Sequence, residues 1–323
     1  MEPAFQPIVR VSITMAASLD QATMHFSPES LWVLNAALGF MLFAVSLFIE
    51  RKDFDSLRER PRSLAAGLAM QWLFLPLLSV GLIWLIRPHP GLALGMLLVA
   101  ACPGGNASNY LNLLARANVA LSLTLTTIST VAAAFMTPLL FFLGAKLSAG
   151  GMELPALSLD LWDMVRSVLL LIGVPLTLGQ LLKHYAPHLT ARIRRPIRVA
   201  AGLTLVAFIL AAFFNNLAAF RDYVSQVIWL IVLHNALALG AGYLVATVFG
   251  APEADRRAIT IESGVHNSGL GLVLIFNFFG GSGPMALIAA GWGVWHLVSA
   301  GALALWWARR PGSTEAALAG EKA

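Results

Sequence analysis

Glu-Ser-Gly-Val-His-Asn-Ser-Gly, residues 262–269, lies inside a long apolar stretch near the C-terminus, and its reading decides the fold. A glutamate at the middle of a membrane-length segment costs roughly 2.5–3.5 kcal/mol on insertion scales, so Glu262 needs a partner. Arg256 and Arg257 stand at the mouth of the segment, and no basic residue lies nearer on the apolar side. Gly264, Asn267 and Gly269 loosen a helix rather than continue it. Within a bilayer, an interrupted helix survives only where its freed backbone groups line a cavity or are buried in protein. The stretch reads as a cation site made of Glu262 with unwound carbonyls and hydroxyls. The competing reading is a buried glutamate hydrogen-bonded to neighbouring helices.

The rest of the composition agrees with a membrane setting. The chain of 323 residues is 58% hydrophobic and only 11% charged. Its mean hydropathy is +0.77, and apolar runs of about 20 residues recur. A soluble domain of this length would not carry that balance. The single cysteine, Cys102, excludes an intrachain disulfide framework and any cysteine-rich metal site. A pI of about 9.8 would suit a nucleic-acid partner. The basic residues, however, sit in short loops between apolar segments, which is a signature of topology and not of a binding stripe.

The expected fold is all-α and polytopic, with membrane lipids as its surroundings. Residues 1–28 read as a short extramembrane tail, and the run at 11–19 is a poor signal-peptide core. Nine spans follow, at about 30–49, 63–86, 91–115, 118–146, 161–184, 197–217, 223–249, 254–279 and 284–308. They make one transmembrane domain over 29–308, and a polar tail occupies 309–323. With the N-terminus outside, only Arg10, Arg87, Lys146, Arg166 and Arg221 of the 21 basic residues fall on or near the outer side. That asymmetry places the C-terminus in the cytoplasm of a cell with the protein in its inner membrane. Spans 3 and 8 both carry glycine–polar interruptions. Spans 1–4 and 6–9 therefore read as two inverted copies with span 5 unmatched, the pattern that points to a transporter site at the midplane.

In span 3 the interruption is Cys-Pro-Gly-Gly-Asn-Ala-Ser-Asn at 102–109. Pro103 removes a backbone donor, and Gly104 with Gly105 lets the chain unwind. Asn106, Ala107, Ser108 and Asn109 then open a half-helix whose amides and dipole favour an anion. Asn267 and Ser268 open the second half of span 8 in the same way. Two such N-termini aimed at one place make an anion pocket without lysine or arginine. Asn106-Ala107-Ser108 also matches a glycosylation sequon, which its membrane depth excludes. Ser122, Thr126 and Ser129 share one face of span 4. Hydroxyls in such helices often bond their own backbone, but hydroxyls, carbonyls and a carboxylate together are what a small hard cation takes. Gln71 in span 2 is a lone intramembrane amide that suits a structural or a functional role.

These two interruptions, with Leu-Ala-Arg-Ala-Asn-Val-Ala-Leu-Ser at 114–122, resemble the bile acid:sodium symporter family over about residues 30–308. The resemblance implies crossed broken helices and a core domain (about 63–146 and 223–308) moving against a panel (about 30–49 and 161–217). It implies a first sodium site from Ser108, Asn109, Ser122, Thr126 and Glu262. A second would come from Gln71, Glu262, the carbonyls of Ser263 and Val265, and position 266. It also implies a small organic anion as substrate, with His296 on the substrate side. Some members have a further N-terminal helix that this chain is expected to lack.

Two positions depart from the family pattern. His266 stands where a glutamine amide is typical, and neutral imidazole is a poor sodium ligand that titrates near neutral pH. Leu297 stands after His296 where asparagine is frequent, which argues against a bile acid. His266 is therefore expected to leave one or two coupled sodium ions, or one sodium and a proton, with uptake that varies between about pH 5 and 8. The alternative is that His266 merely packs; His296 likewise reads as a substrate contact or a packed core histidine. The leading function is a monomeric sodium-coupled symporter of a small organic anion. An intramembrane enzyme lacks a His-Glu-x-x-His pair or a Gly-x-Ser-x-Gly elbow to work with, and a passive channel would not need paired broken helices.

Overall fold

The structure is a computed structural model that describes residues 28–50, 60–149, 160–215 and 217–310. Most of the tail expected at 1–28, the basic residues between 51 and 59, and the C-terminal tail beyond 310 lie outside the described residues. So does the question of a further N-terminal helix. Among the described residues all regular structure is helical, and the one β-bridge joins two helix breaks.

The helices, in order, are α1 (Pro28–Ser46), α2 (Pro61–Ile86), α3 (Pro90–Ala101), α4 (Ala107–Leu114), α5 (Val119–Ser148) and α6 (Leu161–Tyr185). They continue with α7 (Pro187–Asn215), α8 (Leu217–Val248), α9 (Glu253–Gly264), α10 (Ser268–Phe278) and α11 (Gly283–Ala308). Within α2, Met70–Phe74 forms a π-turn. By length and composition, five segments among the described residues can cross a membrane: Pro61–Ile86, Val119–Ser148, Leu161–Tyr185, Val227–Val248 and Gly283–Ala308. Trp32–Ser46, Pro90–Ala101 and Ser268–Phe278 are shorter apolar helices. Two of these belong to the interrupted spans, where each half falls short of a membrane-length helix.

Local sequence sets the helix starts. Proline at the first turn opens α2, α3 and α11, where its missing N–H costs no helical hydrogen bond. The Asn118 side chain caps α5 by accepting from Leu121 N–H at 3.1 Å, and Asp160 caps α6 through Trp162 N–H at 2.6 Å. Glu253 and Asp255 in the first turn of α9 complement its dipole. The interruption that the glycines announce falls between Ala101 and Ala107 in the first broken span, and at residues 265–267 in the second.

Packing sorts the helices into two groups. α1 lies against α6 and α7, while α3 lies between α5 and α11, and α8 against α9 and α11. The Gln180 side-chain amide and Lys183 Nζ on α6 donate to Ser46 O and Ile49 O, closing the C-terminus of α1 within the first group. Contacts of α5 with α6 and of α1 with α10 join the groups, the latter through reciprocal amide bonds between Asn35 and Asn277. α3 is buried along Leu92, Ala93, Leu94, Met96, Leu97 and Leu98, as expected for the centre of a bundle. The outside is apolar as well: Trp84, Leu85, Leu170, Leu203 and Val248 are all more than half exposed, a surface that suits lipid.

Candidate functional site

Pro103, Gly104 and Gly105 cannot extend α3, and Val265, His266 and Asn267 interrupt the other broken span, so each break leaves backbone groups without helical partners. The two breaks satisfy each other. Gly105 N–H donates to Val265 O at 2.9 Å and Asn267 N–H to Pro103 O at 2.9 Å, making an antiparallel bridge between Gly104 and His266. Two carbonyls at the ends of the flanking helices go to side chains. Thr137 Oγ1 donates to Ala101 O at 2.9 Å, and Asn235 Nδ2 donates to Gly264 O at 2.8 Å. Asn235 is held in turn by Ser299, whose hydroxyl donates to Oδ1 at 2.6 Å.

The crossing puts Glu262, fully buried at the end of α9, against α4 and α5. Its Oε1 accepts from Ser108 Oγ, from Ser122 Oγ at 2.5 Å and from Thr126 Oγ1 at 3.1 Å, and Thr126 is also 3.1 Å from Oε2. Ser122 Oγ is in addition 2.8 Å from Asn109 Oδ1. Gly104 permits this approach: a Cβ there would lie 2.5 Å from Glu262 Oε2 and 3.4 Å from Gln71 Nε2. No side chain fits.

Acceptors outnumber protons at this point. The Ser122 hydroxyl has one hydrogen, yet it faces both Asn109 Oδ1 and Glu262 Oε1. Thr126 has one hydrogen and faces three oxygens, both of Glu262 and Ser122 O. A cation among these oxygens would remove the mismatch, and all of them are hard ligands. Among the described residues no group of three or more histidine, cysteine or acidic side chains is placed to hold a metal.

Two residues that the sequence reading passed over support the cluster. Asn112, fully buried and one turn after Asn109, donates from Nδ2 to Ser122 Oγ at 2.8 Å, while its own Oδ1 has no partner among the described residues. Asn235 holds the end of α9. Both are amides in apolar runs, which is the signal that could have found them.

The other expected residues divide. Ser129 donates to Thr126 O at 3.2 Å and so turns to its own helix. Gln71 is buried in the π-turn, and neither atom of its amide has a partner among the described residues. π-turns recur at functional positions because they aim a side chain off the regular helical face. Ser263 Oγ donates to Ile259 O at 2.6 Å, which leaves its carbonyl for other partners.

That carbonyl faces the His266 ring. Nε2 lies 3.1 Å from Ser263 O and Nδ1 2.7 Å from Cys102 O, so the imidazole is lodged between the two breaks. Val265 O meanwhile accepts from Gly105. On the anion side, Asn106 is exposed and makes no capping bond, whereas Asn267 caps α10 by accepting from Leu270 N–H at 3.1 Å. Ala107 begins α4 half-buried. Ser268 and His296 are buried, with Ser268 Oγ and His296 Nδ1 unpartnered among the described residues. A Cβ at Gly293 would touch Ser268 Cβ at 3.1 Å, so the face of α11 that bears His296 passes over the start of α10.

Known proteins are similar to this chain in sequence. The profile described as Sodium Bile acid symporter family matches residues 35–222. An uncharacterized sodium-dependent transporter of Bacillus subtilis is 30% identical over 294 residues, covering 90% of this chain and 88% of that protein. A probable chloroplastic sodium/metabolite cotransporter of rice is 30% identical, over 86% of this chain and 64% of its own length. A second, from Arabidopsis thaliana, is 32% identical over 77% of this chain and 60% of its own length. The chain thus spans about three fifths of these chloroplast relatives.

Proposed function

The chain belongs to the sodium bile acid symporter family, whose members are multi-pass membrane transporters and not enzymes, and on that premise we propose that it couples inward sodium movement to uptake of a small organic anion. The observation that carries the proposal is the surplus of acceptor oxygens around Glu262, where Ser122 and Thr126 face more oxygens than they have protons. Sodium enters among Ser108, Asn109, Ser122, Thr126 and Glu262. The anion binds beside it, at the N-termini of α4 and α10, where Asn106, Ala107, Asn109, Asn267, Ser268 and His296 surround it. Helix N-termini there supply positive potential without a fixed basic residue.

Coupling arises from charge. The anion and Glu262 together need cations beside them before they can be carried through a low-dielectric path. In alternating access, α1, α6 and α7 form the panel and the remaining helices the moving core. The N-terminus is outside and the C-terminus cytoplasmic in this reading, which the distribution of basic residues supports.

One observation favours a single-sodium form of this reading. The position that would serve a second cation with Gln71 holds the His266 ring against Ser263 O, so the ring takes the place of that ion. Counterflow in vesicles tests the class of activity: a transporter exchanges labelled for unlabelled substrate, an enzyme alters it, and a channel shows no accelerated exchange. Melting of the purified protein in a screen of carboxylates and sulfonates, with and without sodium, supplies the substrate. A C-terminal reporter active only in the periplasm would overturn the orientation.

A further inference from the structure

Asp255, in the first turn of α9, is fully buried at the mouth of its segment and takes no part in the cluster around Glu262. A buried carboxylate is stable only when its oxygens are well supplied with donors. Asp255 has them from two other helices. Arg60 Nη1 lies 3.0 Å from Oδ1 and 3.2 Å from Oδ2, Ser63 Oγ donates to Oδ2 at 2.6 Å, and Asn118 Nδ2 donates to Oδ1 at 2.7 Å. Asn118 also donates its backbone N–H to Ala254 O at 3.0 Å while its Oδ1 caps α5. Two residues along α9, Arg257 donates from Nη1 to Ala115 O at 3.3 Å, at the end of α4, and packs its guanidinium over Trp307 of α11.

The register of these contacts matches that of the site. Asp255 and Glu262 are seven apart on α9, and Asn118, Ser122 and Thr126 are spaced by four along α5, so each set shares a face. Ser63 precedes Gln71 by two turns of α2, and Ala115 lies two turns beyond Ser108 on α4. Every helix that brings an oxygen to Glu262, together with α2, is therefore tied to α9 within two turns of the carboxylate, α2 and α5 at Asp255 and α4 at Arg257.

We infer that Asp255, with Arg60, Ser63 and Asn118, is a positioning latch that fixes the register of α2, α5 and α9 and thereby the spacing of the oxygens around Glu262. The inference rests on the cation-site reading of Glu262. Its effect is on sodium affinity: partners that orient a ligating carboxylate typically contribute about 10–100-fold to metal affinity, and the latch acts from two turns away, at the lower end of that range.

The test uses full-length protein in detergent, with the melting midpoint followed against sodium chloride and choline chloride replacing it at constant ionic strength. Sodium that binds the folded state raises the midpoint logarithmically once its concentration exceeds Kd, and the half-saturating concentration of the site, fitted from the onset of that rise, reports affinity. Asp255→Asn is expected to raise that concentration about tenfold, and Ser63→Ala, which leaves Arg60 and Asn118 in place, about threefold, as loss of one hydrogen bond would. Should Asp255→Asn not fold, Ser63→Ala carries the test alone. A merely structural role would lower the sodium-free midpoint and leave the half-saturating concentration as in the wild type; that result in the variants that fold overturns the latch. Glu262→Gln is measured alongside. If it keeps the sodium response, the cation site falls and the latch with it; if it loses the response while Ser63→Ala binds sodium normally, only the latch falls.

Discussion

The break between α3 and α4 runs through Cys-Pro-Gly-Gly-Asn at 102–106, whereas the break between α9 and α10 occupies only 265–267 and stands beside Glu262. The first contributes room. Gly104 lets the Glu262 carboxylate come to the backbone, and Gly105 supplies an N–H to the facing carbonyl. The second contributes charge and closure, with Glu262 on one side, the His266 ring lodged between the breaks, and Asn267 capping α10. Two interruptions joined by one backbone bridge thus divide the work of a polar site in apolar surroundings. The residue types are not interchangeable, because a side chain at Gly104 would displace the very group that the other break presents.

Three substitutions probe this division, beginning with the charge. Glu262→Gln is expected to abolish sodium-dependent uptake while leaving expression intact. Loss of a buried, hydrogen-bonded charge partner costs ~2–5 kcal/mol, which is about thirtyfold or more in sodium affinity. Sodium activation like that of the wild type would assign the carboxylate a structural role and leave the second break without its charge.

Gly104→Ala tests the room. Forcing a methyl into a closed site costs about 1–3 kcal/mol, so sodium half-saturation should rise by roughly tenfold. An unchanged value in tracer uptake would mean that the carboxylate can retreat from the first break without loss.

His266→Gln is the subtlest. It removes the ring from Ser263 O and puts an amide in its place, so sodium activation should steepen from a Hill coefficient of about one toward about two, the number of coupled sites being its upper bound. A wild-type protein already cooperative in sodium would show that the ring does not stand in for an ion.

The range of the forces involved sets how much of this was legible in the sequence. Hydropathy, helix interruption by Pro103, Gly104, Gly105 and Gly264, and the cost of Glu262 in an apolar segment are properties of a residue and its immediate neighbours. The sequence by itself therefore determined the membrane class, the helical fold and the two interrupted spans. It also drew attention to the hydroxyls of span 4, since spacing by three and four is enough to share a face.

Which of those hydroxyls meets Glu262 depended on where the helices cross. Ser122 and Thr126 reach the carboxylate, and Ser129, one turn further, bonds Thr126 O instead. Asn112 and Asn235 gained their roles only because other helices left an oxygen within reach of their amides. Asp255 gained its role only because Arg60, Ser63 and Asn118 converge on it from distant parts of the chain. The reason is that a hydrogen bond in an apolar interior belongs to the pair and not to either residue. Sequence shows which groups need partners; the tertiary structure alone decides which partners they receive.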